Sequence, residues 1–457
     1  MRIGLLVCLV ASISLALHST FATRSKLFPV PERSTAAAKV SPGNSAPTNL
    51  SHIVFGIGAS VRTWHDRSRY TLQWWDPNAT RGFVWLDGEP VNNTVSLPYR
   101  VSEDWTGFKY SSSQAAVRIA RIVLETFRLG LPNVRWFVMG DDDTVFFADN
   151  LVSVLASYDH NQMYYIGGNS ESVEQDVMHS YDMAFGGGGF AISYPLAALL
   201  VNVLDGCLER YYLFYGSDQR VWACLSEIGV PLTVQRGFHQ LDIRGDPYGF
   251  LAAHPLAPLV SLHHLDYLHP MFPNQTQFDS LKSLMPAYRV DPRRLLQQCF
   301  CYEKKRKWTI SIAWGYTLQI YPFMVPTKDL QRPMQTFKTW RSWSNGPFTF
   351  NTRPVSPDPC QRPVIYFLDR VEKVGESGSL TSYVRFVNKQ GQKCGKQEYK
   401  SAMSVQRVMV SSMKTDTNYW KKASVRQCCE IMDHGNINNG IMKIRIRKCR
   451  PRETVTI

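Results

Sequence analysis

The chain has 457 residues, 44% of them hydrophobic and 19% charged, and a formal net charge of +14. That length suffices for two or three domains with real cores, and the balance excludes an intrinsically disordered chain. The positive charge admits nucleic acid, a membrane surface or acidic small molecules as partners, but no basic helix or zinc-finger spacing supports nucleic acid, which is set aside.

Met1-Arg2 precedes an apolar run from Ile3 to Leu17 and then His18 to Ala22. Residues 1–22 read as a signal anchor or a signal peptide. Ile3 to Phe21 just spans a bilayer if all of it inserts, and Thr20 and Ala22 make a passable cleavage site. Either way the rest of the chain enters the secretory pathway; we take the uncleaved anchor first, with cleavage and secretion as the alternative. Asn-X-Ser/Thr sequons at Asn49, Asn78, Asn92 and Asn274 agree with that route. Of ten cysteines, nine lie beyond the apolar segment. An odd number allows at most four disulfides and leaves one thiol. Residues 23–48, rich in Ser, Pro, Ala and basic residues, read as a flexible stem.

Residues 49–302 alternate strand and helix signals. His52 to Ser60 is a short apolar strand followed by small residues. Trp64, Arg67, Arg69, Tyr70, Trp74 and Trp75 follow, either as a core helix with snorkelling arginines or as a unit facing a base and phosphates. Gly82 to Asp87 is a second strand. Ser111 opens a helix with Ala115, Ala116, Ile119, Ile122, Val123 and Phe127 on its apolar face and Arg118, Arg121, Glu125 and Arg128 opposite. Gly130 and Pro132 end it. Trp136 to Met139 is a buried strand, ended by Gly140 and followed by Asp141, Asp142 and Asp143. Three adjacent carboxylates repel one another, so a divalent metal or a basic side chain is expected beside them. Asp149-Asn150 caps a further helix, and Tyr164 to Gly168 is a further strand. This alternation implies a largely parallel, doubly wound sheet.

Phe185-Gly-Gly-Gly-Gly-Phe190 costs backbone entropy and makes sense where backbone must approach a ligand closely. A helix from Pro195 passes Cys207, and a second begins at Ser217, a plausible N-cap that puts Asp218 in the first turn. Cys207 and Cys224 flank this region as a candidate pair. Leu259 to Asp266 carries His263 and His264, which on a strand point to opposite faces, so at most one reaches a given metal. From 303 to 457, β-prone runs broken by Pro and Gly suggest a β-rich, disulfide-containing accessory domain such as a small sandwich. Lys304 to Lys307 reads as a solvated face.

Three chemistries compete for the acidic triplet. In metal-dependent glycosyl transfer a divalent ion would bridge Asp143 and the diphosphate of a nucleotide sugar, while a separate carboxylate, Asp218, takes the acceptor proton. Asp141 to Val145 also satisfies the D-x-D-x-T/V pattern of Asp-nucleophile phosphohydrolases, but that pattern normally opens its domain, and here strands and a long helix precede it. The third possibility is a non-catalytic carbohydrate-binding or scaffold protein.

Trp136 to Thr144, Phe185 to Ser193, Gly216 to Val221 and Ser261 to Asp266 occur in the order seen in Fringe-like glycosyltransferases, over about residues 50 to 270. With its C-terminal extension the chain resembles the plant branch of that group, the DUF604 proteins. The resemblance implies a GT-A fold, a Rossmann-like mixed α/β sheet flanked by helices, with a smaller β-rich C-terminal domain. It implies an inverting hexosyl- or N-acetylhexosaminyltransferase that uses Mn²⁺ and a UDP-sugar and forms a β-linkage on a glycan or glycoprotein acceptor. It also implies a type II membrane protein of the Golgi lumen. By position, Asp143 and His264 fall on the metal ligands, with His263 the alternative to His264. Asp141 and Asp142 fall beside the donor, Asp218 on the base, and the run containing Gly187, Gly188 and Gly189 on the loop lining the cleft. The chain departs from the pattern at Ser217 and Leu262, where acidic and histidine residues are common, and at Gln219-Arg220. Those departures leave the acceptor and the donor sugar open.

Overall fold

The computed structural model describes residues 46–455 apart from 92, 112, 388–393, 433–436 and 438. The N-terminal anchor or signal peptide, residues 23–45 of the stem and Asn92 lie outside the described residues. Among those described, no helix is long and apolar enough to cross a membrane. Residues 48–457 form one compact unit.

The N-terminal strands are β1 (Ile53–Gly58), β2 (Gly82–Leu86), β3 (Tyr99–Val101), β4 (Trp136–Asp141), the two-residue β5 (Val145–Phe146), β6 (Tyr165–Gly167), β7 (Phe190–Ser193) and β8 (Leu232–Val234). All but β5 make one seven-stranded sheet in the order β3-β2-β1-β4-β7-β6-β8. It is mixed rather than uniformly parallel, because β7 runs antiparallel to both β4 and β6. Both faces are covered, which is why these strands read as unbroken apolar runs. In β4, Trp136 and Val138 enter one core, and Phe137 and Met139 enter the other.

The helices of this half are α1 (Trp64–Thr71), α2 (Gln114–Arg128), α3 (Ala148–Leu155), α4 (Val173–Met178), α5 (Tyr194–Arg210) and α6 (Ser217–Ile228). Helix α2 packs onto β1 so closely that a Cβ at Gly56 would lie 2.9 Å from Ile122 and 2.7 Å from Thr126. Of the charged residues opposite that face, Arg118, Arg121 and Glu125 are buried and Arg128 is exposed. Arg118 is 2% exposed and donates to the carbonyls of Trp85 and Ala59, and Arg121 donates to Asp205 and Glu103. Two expected caps shift by one or two residues. The residue before α3 is Phe147, and the one before α6 is Gly216, so Ser217 is the first helical residue.

Short strands follow: β9 (Phe238–Gln240), β10 (Ile243–Gly245) and β11 (Ser261–His263). β11 lies between β5 and β9 in a small second sheet.

The C-terminal half is an eight-stranded closed barrel, not a sandwich. Its strands are β12 (Gln298–Glu303), β13 (Trp308–Ala313), β14 (Thr317–Tyr321), β16 (Val364–Val374), β17 (Gly378–Arg385), β18 (Arg407–Met413), β19 (Cys428–Ile431) and β20 (Ile441–Arg447). Closure comes from β19, which pairs with β12 and β20 and leaves no edge. Residues 304–307 turn between β12 and β13, three of the four exposed. The division expected at 302/303 falls inside β12, and one hydrophobic core runs from β1 through the barrel. The remaining strand, β15 (Phe337–Thr339), belongs to an excursion between β14 and β16 and pairs with β10 of the sheet half. Among the described residues the cysteines form four disulfides, Cys207–Cys224, Cys301–Cys429, Cys360–Cys394 and Cys428–Cys449, and Cys299 is a buried free thiol.

Candidate active site

Chain order starts from β1 and moves outward in both directions, to β2 on one side and β4 on the other. A crevice therefore opens between the C-terminal ends of β1 and β4, where Gly58 pairs with Asp141. The acidic triplet sits at that switch point. Its backbone is fastened from below: Thr71 donates to the Asp142 carbonyl at 3.2 Å, and the Trp74 indole donates to the Thr144 carbonyl at 3.0 Å. The aromatic run after β1 is thus core. Trp74 packs 5.0 Å from Phe55 and 5.1 Å from Phe146. Its one basic residue at the site is Arg67, the cation the triplet demands.

The three carboxylates divide. Asp142 is enclosed, accepting from Thr63 Oγ1 at 3.1 Å and from Arg67 Nη1 at 3.3 Å. Burial raises its pKa to about 7, helped by Asp143 and only partly offset by Arg67. Its oxygens face Thr63 and Arg67. Asp141 remains partly exposed, and burial with the neighbouring carboxylates raises it to about 6 against the pull of His263.

Asp143 is 1% exposed, and neither of its oxygens has a hydrogen-bond partner. Burial acts to raise its pKa, but His263 and Arg67 overcome that and hold it below the usual carboxylate range. His263 Nε2 stands 3.0 Å from Asp143 Oδ1 without the alignment of a hydrogen bond, and 3.8 Å from Asp141 Oδ2. Burial opposes a charge on His263, but Asp143 and Asp141 outweigh it and raise its pKa to about 9. Asp141, Asp143 and His263 each offer one ligand atom, all within 4.8 Å of one another. Two carboxylates and one imidazole suit a hard to borderline divalent cation such as Mn²⁺, and the orphaned oxygens of Asp143 are the atoms it would satisfy.

The histidine beside Asp143 is therefore His263, not the expected His264. The rule of opposite faces fails because the strand ends between them. His264 adopts a left-handed conformation (φ 64°, ψ 27°), which folds its ring back onto that of His263, with centroids 3.9 Å apart. His264 Nδ1 instead lies 2.8 Å from Asp242 Oδ1, and its ring stacks on Trp340 at 4.6 Å. His263 Nδ1 donates to Gln240 Oε1 at 3.1 Å, which leaves Nε2 to face the carboxylates. Sequence reasoning missed Gln240 and Asp242. The alternating Phe238-His-Gln-Leu-Asp242, once recognised as a strand beside β11, is the signal that would have found them.

The glycine run lies within this machinery but is not an open lining. A Cβ on Gly187 would sit 2.0 Å from the His263 ring, and Gly188 N–H donates to Gln240 Oε1 at 2.7 Å. Gly189 has φ +85° and packs on Phe146. Thr144 links the two motifs, donating to the Gly187 carbonyl while accepting from Asp141 N–H. Gly187, Gly188 and Gly189 are buried, so they hold His263 and Gln240 from behind; only Gly186 is partly exposed. Gly186 N–H donates to Asp218 Oδ2 at 3.0 Å, and Gln219 N–H to Asp218 Oδ1 at 2.8 Å. Asp218 and Asp141 line one small cavity with Gly186 and Ser217. The structure thus brings Asp218 to the triplet across 74 intervening residues of sequence.

No curated protein matches the sequence. Among solved structures the chain is similar to a glycosyltransferase involved in the glycosylation of the major capsid of PBCV-1, at 11% identity and a TM-score of 0.28, covering 50% of this chain and 97% of that one. It is also similar to the catalytic domain of Drosophila beta1,4galactosyltransferase 7 in complex with xylobiose, at 11% identity and a TM-score of 0.24, covering 40% and 64%. Likenesses at those scores carry no argument about this chain's chemistry. A family described as "Protein of unknown function, DUF604" matches residues 175–429, from α4 through the glycine run, Asp218 and His263 into β19. With more than half of its length matched, the chain belongs to the DUF604 family.

Proposed function

We propose that the protein is a metal-dependent, inverting glycosyltransferase that moves a sugar from a UDP-sugar to a hydroxyl of a glycan or glycoprotein, forming a β-linkage. The observation that carries this reading is Asp143: a buried carboxylate with two unpartnered oxygens, beside His263 and Asp141, at the switch point of an α/β sheet. Asp143, His263 and Asp141 would hold the cation. Bound there, Mn²⁺ would offset the charge on the departing diphosphate. Arg67 keeps Asp142 and Asp143 compensated, and Gln240 fixes the His263 tautomer. Asp218, held by two backbone N–H groups on the far side of the Gly186 turn, takes the proton of the acceptor hydroxyl. A carboxylate that deprotonates the acceptor hydroxyl directly suits a single displacement, hence inversion.

This reading assigns the chain to the Golgi lumen, as a type II membrane protein if residues 1–22 remain. Four disulfides and the sequons support an oxidising compartment. The test is calorimetric titration of the full chain with UDP and a panel of UDP-sugars, with Mn²⁺ and with a chelator. Saturable binding that needs Mn²⁺ and disappears in Asp143→Ala is expected, with Asp218→Asn keeping binding and losing transfer. Absence of nucleotide binding, or binding indifferent to the metal, overturns it.

A further inference from the structure

One turn beyond His263 the structure builds a column of flat groups. The His264 ring stacks on His263, and Trp340 lies on His264 at an interplanar angle of 5°. The guanidinium of Arg244 covers the other face of Trp340 at 3.7 Å. Tyr267 closes the side, 4.9 Å from Trp340 and 4.7 Å from Arg244, and Trp343 lies 5.7 Å from Arg244. The two halves of the chain contribute jointly: Arg244 is on β10 and Tyr267 follows β11, whereas Trp340 and Trp343 come from the excursion between β14 and β16.

Three features exceed what packing requires. Trp343 is 57% exposed and Tyr267 is 41% exposed, so large aromatic surface is left in water. Trp343 is held at φ +52°, a conformation rare for a bulky side chain. Its turn is nevertheless braced: the Thr339 hydroxyl bonds those of Ser342 and Ser344 at 3.0 Å, and Arg341 N–H donates to Glu174. The third feature is Arg244, which makes no ion pair among the described residues. Among the described residues its one hydrogen bond runs from Nε to the Trp340 carbonyl at 3.3 Å, which leaves both terminal nitrogens free to donate.

We propose that Trp343, Tyr267 and Arg244 form the subsite for the acceptor, an oligosaccharide whose ring lies on the exposed Trp343 and Tyr267 faces while Arg244 donates to its oxygens. The apolar face of a pyranose matches an aromatic plane, and a fork of N–H donors matches adjacent ring hydroxyls or a uronate carboxylate. Gly186 touches Asp218 and Gly187 abuts His263, so the column starts one residue of the turn away from the base and runs from there to the subsite. This proposal deepens the transferase reading and rests on it for the word acceptor.

The test is calorimetric titration of the full chain with three probes: a neutral β-1,4-galactotetraose, xylotetraose and tetragalacturonic acid. At least one is expected to saturate the wild type. Trp343→Ala and Tyr267→Ala should each weaken it roughly tenfold. Trp343→Phe should recover most of the loss, and Arg244→Gln should weaken the same probe, while Mn²⁺-dependent UDP affinity stays at the wild-type value in all four. Failure of all three probes to bind the wild type overturns the subsite, as does binding that survives the Trp343→Ala/Tyr267→Ala double variant. A wild type that takes saccharide through Trp343 but no UDP would keep the subsite and sink the transferase reading.

Discussion

In the barrel, charged groups find partners at the surface: Arg447 reaches Glu430 and Glu453 at 2.9 and 2.7 Å, and Arg445 reaches Glu430 at 3.5 Å. Cys301–Cys429 further ties β12 to β19, Cys428–Cys449 ties β19 to the segment after β20, and Cys360–Cys394 ties segments that flank the strands. In the sheet half, charges are buried and imperfectly met. Both oxygens of Asp143 lack hydrogen bonds, as do both oxygens of Glu125, which has Arg121 only at 3.8 Å. One half is built to persist, and the other holds buried carboxylates that lack hydrogen bonds, at Asp143 where a ligand can meet them.

The largest test of that contrast is removal of a cross-link from the barrel. Cys301–Cys429 closes a sequence separation of 128 residues, so the Cys301→Ala/Cys429→Ala pair should lose about 4–5 kcal/mol of unfolding free energy. Denaturant unfolding measures the loss, and nucleotide affinity at low temperature should not follow it. If affinity falls in parallel, the halves are not separable in this way.

A smaller effect is expected at Glu125, behind the sheet. Burial raises its pKa from the ordinary 4.5 to about 7, with Arg121 only partly opposing. The folded state therefore binds this proton more tightly than the unfolded chain. Its contribution is complete below about pH 4.5 and is lost as pH rises through about 7. Relative to Glu125→Gln, the wild type should lose about 3 kcal/mol between those limits and pH 8. Stability curves of equal slope for the two proteins would show that Glu125 is as well compensated as the barrel's acids.

The smallest effect isolates the metal site from stability. Gln240→Leu removes the acceptor for His263 Nδ1–H and should weaken Mn²⁺ affinity roughly tenfold to a hundredfold, read by metal titration. An unchanged affinity would mean that Gly187, pressed against the ring, orients His263 unaided.

What the sequence made legible follows from what is local. β4 and its triplet, the glycine run and α6 are each written in a few consecutive residues, and the odd cysteine count set the limit of four disulfides with one thiol over that the structure reaches. The choice between His263 and His264 was not local. It hinged on a single positive φ at His264, where the strand stops one residue sooner than an alternating pattern suggests. Burial of Arg118 and Arg121 was equally hidden, because a charged helix face reads as solvated until the carbonyls and carboxylates that receive it are known. Barrel closure was out of reach for the same reason: β12 meets β19 across more than a hundred residues, and no period in the chain announces that pairing.

The pairing of β15 with β10 has a consequence for how such a chain can be cut or recombined. A fragment ending at residue 302 would stop inside β12 and discard the strand and turn that carry Trp340. The His264 ring would keep only His263 as a stacking partner, and Arg244 would keep only Tyr267. The barrel therefore cannot be treated as a detachable passenger. Grafting another family member's C-terminal half onto this sheet would import that donor's turn between β15 and β16 and rewrite one wall of the cleft, leaving the acidic triplet untouched.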